Sequence, residues 1–90
     1  MGKIIVALAR SKSVDILLAL EKKKLKFNEI VRLVGNATTA MRRIQDLQAA
    51  GVVSRKVLQD RQRSVEYALT RKGQRLIPLV VEMLKIDAGQ

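Results

Sequence analysis

No cysteine, histidine or tryptophan occurs in the chain, and only two side chains are aromatic, Phe27 and Tyr67. The missing cysteine excludes a disulfide framework, a thiol switch and any zinc site built on thiolates. The missing histidine removes the commonest metal ligand and general base, so soft-ligand metal sensing and a His-dependent triad are both unavailable. The carboxylates and lysines that remain form no pair at a telling spacing, and no enzyme, metal or cofactor is expected. A core short of aromatics must be built from Ile, Leu, Val and Ala, and the hydrophobic fraction of 48% supplies one modest domain. Long apolar runs are missing too. Residues 4–9 are closed by Arg10 and Lys12, short of the about 7–15 residues of a secretory segment. No stretch reaches the roughly 18–20 residues of a membrane span. A soluble, cytoplasmic protein is expected.

Positive charge is what the chain has in excess: 18 Lys and Arg against 8 acids, a net +10. Such a balance favours polyanionic partners, nucleic acid before an anionic membrane face. Along the chain, Ser13 reads as a helix N-cap, with Asp15 in the first turn and Val14, Leu17 and Leu18 at helical spacing up to about Lys22. Lys22, Lys23, Lys24 and Lys26 then read as a solvated loop. Asn28 is placed to cap a helix over residues 29–34, Gly35 to end it and Asn36 to cap the next. Ala37, Ala40, Ile44, Leu47 and Gly51 form one narrow inward stripe, while Thr38, Thr39, Arg42, Gln45, Asp46 and Ala49 lie on the other side. Two short helices joined so tightly make a helix-turn-helix.

After Gly51 the hydrophobic period drops toward two. Residues 52–58 and 65–69 are rich in β-formers and bracket the polar run 59–64, the pattern of a hairpin with a long charged tip. A short strand over residues 25–27 is expected to complete the sheet. Thr70 then caps a last helix running to about Ile86, with a kink expected at Pro78. The fold class is therefore α+β, mainly α: a winged helix-turn-helix with a two- to three-stranded antiparallel wing sheet and a C-terminal helix.

Three stretches resemble known families. Gln45-Asp46-Leu47-Gln48-Ala49-Ala50-Gly51-Val52-Val53 is similar to the LxxLxxxGLV end of recognition helices in MarR, ArsR and HxlR regulators. Val65-Glu66-Tyr67-Ala68-Leu69-Thr70-Arg71-Lys72-Gly73 resembles the VEYxLTxxG strand-to-helix junction of the HxlR and PadR groups. Lys26-Phe27-Asn28-Glu29 resembles their RFxEL motif, and Arg55 and Lys56 fall where those families carry the basic start of the wing. The resemblance covers residues 11–79 and implies a winged-helix transcription regulator that dimerises through terminal helices. Two features depart from the HxlR pattern: the Gly35-Asn36 turn is shorter, and the Trp and Cys often found near the start are missing. Sensing through cysteine therefore does not carry over.

Residues 37–50 are the expected recognition helix in the major groove, where short hydroxyls and guanidinium groups can meet base edges. Thr38, Thr39 and Arg42 are the first choices, with Arg42 placed for a guanine. Gln45 and Arg43 follow, Arg43 at the edge of the buried stripe where clamping a phosphate suits it better. In the wing, residues 59–64, Arg61 and Arg63 are expected on a minor groove or flanking backbone, and Arg55 and Lys56 on phosphates. Residues 55–75 hold seven basic and two acidic side chains. Tyr67 belongs to the core. The last helix is too apolar for a monomer, so Leu76, Leu79, Val80, Met83 and Leu84 are assigned to a homodimer interface, helped by Ile4, Ile5, Val6 and Leu8.

These readings define one domain over residues 1–90, with a winged-helix core at about 11–70 and a dimerisation helix at 71–87. The expected function is sequence-specific binding of double-stranded DNA in transcription regulation, by a nucleoid-associated homodimer that touches no membrane. The alternative is a non-specific architectural, chromatin-type DNA binder. An RNA-binding role is disfavoured because the core claims both aromatics, leaving no stacking platform.

Overall fold

The structure, a computed structural model, describes residues 2–89. It has five helices, α1 (Lys3–Ala9), α2 (Ser13–Lys22), α3 (Phe27–Val34), α4 (Ala37–Ala49) and α5 (Arg71–Asp87). Three strands, β1 (Leu25–Lys26), β2 (Val53–Val57) and β3 (Val65–Leu69), form one antiparallel sheet in the order β1-β3-β2. This is a winged helix, mainly helical, as the periodicity predicts.

Aliphatic side chains from every helix meet in a single core. Ile16, Leu17 and Leu20 come from α2, Ile30 from α3, Ala40, Ile44 and Leu47 from α4, and Ile77 from α5. Leu25, Val53 and Tyr67 close it from the sheet. Tyr67 is buried, as expected of a core aromatic. The inward stripe of α4 begins at Ala40, since Ala37 in the first turn is exposed.

The junction between α4, the wing and α5 is fixed by a short set of bonds. Helix α4 ends in a Schellman motif: the Gly51 amide donates to the Gln48 carbonyl (2.9 Å) and the Val52 amide to Leu47 (3.1 Å). Gly51 takes the left-handed conformation this requires, with φ of 79°. The Thr70 hydroxyl donates to the Gly51 carbonyl (2.7 Å) and accepts from the Gly73 amide (3.1 Å), so one side chain caps α5 and holds the end of α4. At Gly73 a side chain has no room, because a Cβ there would run into the Val52 carbonyl oxygen. The Leu-Thr-x-x-Gly motif is thus a joint that sets the wing and α5 at a fixed attitude to α4.

Several local expectations are corrected. Residues 3–9, read only as an apolar run, fold as α1, which buries Ala7 and sets Ile4 and Leu8 against the core. Ile5 and Val6 stay exposed. Ser13 is not a cap. Lys12 precedes it in the left-handed region (φ 68°), and Ser13 is already helical and fully buried. Asn28 does not cap α3 either; β1 runs straight into the helix, and Glu29 reaches back to accept the Lys26 amide (2.9 Å). Helix α5 runs from Arg71 to Asp87 with exposed Pro78 inside it, in line with the span read from the sequence. Asn36 and Thr70 cap α4 and α5 as expected.

Candidate nucleic-acid interface

Helix α4 presents its outward side because its inward side is fully spent. The Asn36 side chain accepts the Thr39 amide (2.9 Å) and ties down the N-terminal turn. Ala40, Ile44 and Leu47 anchor the opposite face with no exposed surface. Besides Ala37 and Ala49 at its two ends, the exposed residues of α4 are Thr38, Met41, Arg42 and Gln45, the last three at spacings of three, four and seven from Thr38. These four form one patch on the N-terminal half of the helix.

Of the sequence-predicted residues, Thr38, Arg42 and Gln45 share this patch, and Thr39 lies half-buried on its flank. Arg43 stands apart. Its Nη1 pairs with Asp46 at 2.7 Å, and its side chain is only 14% exposed. Its Nε is buried with no hydrogen-bond partner among the described residues. Met41 was missed by the sequence reading, although its spacing from Thr38, Arg42 and Gln45 places it on their face. A thioether there is suited to apolar contact with a thymine methyl.

The wing is a built turn. The Asp60 carboxylate accepts the Ser64 amide (3.0 Å), the Arg63 amide donates to the Asp60 carbonyl (3.2 Å), and the Leu58 amide donates to Ser64 (2.7 Å). Arg63 sits in the left-handed region, φ 49°. Arg61, Gln62 and Arg63 are held exposed at the tip, while Arg55 and Lys56 are exposed on β2. Lys56 stands across from Glu66, whose other neighbour in register is Lys26. The Ser64 amide, foremost, holds the Asp60 carboxyl below its ordinary 3.8. The Lys26 amide, followed by the Lys23 ammonium (3.2 Å), lowers Glu29 in the same way.

Among the described residues the ion pairs are Lys23–Glu29 and Arg43–Asp46. Arg42, Arg55, Arg61 and Arg63 are therefore exposed guanidinium groups without an acidic partner.

The apolar side of α5 divides in two. Val80, expected at a dimer interface, is 1% exposed because the chain itself covers it, and Leu76 is half-buried against the core. Leu79 (62%), Met83 and Leu84 are exposed, and so is Ile86 (65%). No helix among the described residues is long and apolar enough to cross a membrane.

A capped helix-turn-helix, an adjoining basic hairpin and a trailing helix define the winged helix-turn-helix class. The chain belongs to the HxlR-like helix-turn-helix family, whose model matches residues 9–89. It is 36% identical over 67 residues to an uncharacterized HTH-type transcriptional regulator of Methanothermobacter thermautotrophicus, covering 72% of this chain and 51% of that protein. A second uncharacterized HTH-type transcriptional regulator, from Halalkalibacterium halodurans, is 35% identical over 74 residues, covering 80% and 66%. The chain thus spans about half the length of the first relative. Among solved structures, the reduced form of the transcriptional regulator YodB from B. subtilis superposes with a TM-score of 0.81 at 25% identity, covering 91% of this chain and 82% of that one. These relatives are transcriptional regulators, not enzymes.

Proposed function

We propose that this protein is a sequence-specific, double-stranded DNA-binding transcription regulator acting as a homodimer. The observation that carries the reading is the outward patch of α4, where Thr38, Met41, Arg42 and Gln45 stand exposed on a helix held rigid from behind. A helix of this kind fits the major groove with its N-terminal half toward the base edges. Arg42 takes a guanine, Thr38 and Gln45 take neighbouring edges, and Met41 takes a thymine methyl. Arg61 and Arg63 at the wing tip reach the backbone or a narrow minor groove, and Arg55 and Lys56 follow phosphates.

The dimer reading rests on α5 and α1. Leu79, Met83 and Ile86 recur along one exposed side of α5, and Ile5 and Val6 add exposed apolar surface from α1. Lys72 borders two neighbouring clefts, one lined by Ile4 and Ile5 and the other by Leu76 and Leu79, so the two apolar surfaces lie close together. A two-fold pairing there sets two α4 helices on half-sites about 34–36 Å apart. In this reading residues 1–90 act as one domain, with α5 as the dimerisation element and the protein resident on the nucleoid.

Selection of bound duplexes from a random pool tests the proposal. An enriched pseudo-palindrome is the expected result. Unenriched pools with tight binding would replace site recognition by architectural binding, and no binding would end the DNA reading altogether.

A further inference from the structure

Arg10 lies outside the helix-turn-helix, at the C-terminal end of α1, yet the fold brings it to α4. Arg10, Arg42, Arg43, Gln45 and Asp46 line one polar cleft of about 200 Å³ between the two helices. Three guanidinium groups meet one carboxylate there, and that carboxylate is already engaged by Arg43. The cleft therefore keeps a surplus of positive charge. Arg43 is held against Asp46 with its Nε buried, so Arg10 and Arg42 are the exposed guanidinium groups at the cleft.

We propose that this α1–α4 cleft is an oxyanion site of the phosphate class, in which Arg10 holds one phosphate group beside Arg43 while Arg42, at the rim, stays with the base edges. The planar fork of arginine suits tetrahedral phosphate oxygens, which favours this class over a halide or a single carboxylate. The cleft flanks the outward patch of α4 rather than lying at its centre. With α4 in a major groove, that flank faces a groove wall, and the wall is a line of backbone phosphates. The site thus rests on the DNA-binding reading for one source of phosphate, the duplex backbone, and is independent of it for the other, free phosphate. If the backbone is the source, α1 contributes a DNA contact of its own and Arg10 clamps the register in which Arg42 reads.

The test compares the full-length protein with Arg10→Gln, an exposed change at a helix end, after thermal unfolding confirms that both are folded. One arm measures duplex affinity against salt. The second titrates inorganic phosphate, followed by the amide resonances of residues 10, 42, 43 and 46. A backbone phosphate predicts that Arg10→Gln weakens all duplexes alike and lowers the salt slope by about one. Free phosphate as the source predicts Arg10-dependent shifts at millimolar phosphate with an unchanged salt slope. Should the salt slope and the phosphate titration both be indifferent to Arg10→Gln, the site does not exist. If the unaltered protein binds no DNA at all, the second arm still decides the oxyanion site while the DNA reading fails on its own.

Discussion

Helices α4 and α5 are both amphipathic, and each leaves one side unclaimed by the core. On α4 the spare side carries Thr38, Arg42 and Gln45 around a single Met41; on α5 it carries Leu79, Met83 and Ile86. Exposed hydroxyl, amide and guanidinium groups keep their hydration at little cost until a polar partner arrives. Exposed Leu and Ile are unfavourable from the start, by roughly 25 cal/mol for each Å² left in water. The same fold therefore offers two surfaces with opposite demands, one suited to a hydrated polyanion and the other to a dry apolar partner.

The contrast can be broken most severely from beneath. Ile44→Ala removes the fully buried anchor of α4 and should cost about 2–5 kcal/mol of stability, read by denaturant unfolding, with DNA binding falling as the fold fails. Leu79→Asp with Met83→Asp places charge on the spare side of α5 alone. Sedimentation should then show the mass of one chain where the parent shows two, with the thermal midpoint of the monomer little changed. Arg42→Ala alters only the spare side of α4. It should leave stability and dimerisation intact and remove about 1–3 kcal/mol of discrimination at one base position. Arg61→Ala is milder, weakening all sequences alike and lowering the salt slope by about one.

The smallest effect is a pH dependence. The carboxyls of Asp60 and Glu29 titrate below their ordinary values when folded, so the unfolded chain binds more protons as acid is added. Their stabilising contribution is present above the ordinary values, 3.8 and 4.5, and is lost as pH falls through the lowered ones. Thermal midpoints should decline through this window, and less steeply in Asp60→Asn.

The order of elements and the outward residues of α4 were legible because a helix with one buried stripe betrays its other side. The caps at Asn36 and Thr70 were legible for a similar reason, each being a short acceptor placed where a helix begins. Helix α1 was not. It is seven residues long, Gly2 supplies no side-chain cap, and its helicity comes from packing against α4 and α2. Nor could periodicity choose the buried side of α5, because apolar residues surround it; only the fold shows that Val80 points inward while Leu79 does not. Arg10 was invisible as a site residue, since thirty-two positions of chain separate it from the Arg42 it approaches. The Leu-Thr-x-x-Gly stretch was matched as a motif, and the structure supplies its reason in the Thr70 bonds and the close approach at Gly73.

The central claim is that the exposed side of α4 meets base edges in the major groove. Methylation of guanine N7, a major-groove atom, tests this on a duplex taken from the selected pool. The account predicts protection of a guanine in each half-site by the unaltered protein, with that protection lost in Arg42→Ala. Unprotected N7 positions, or protection that survives Arg42→Ala unchanged, would contradict it.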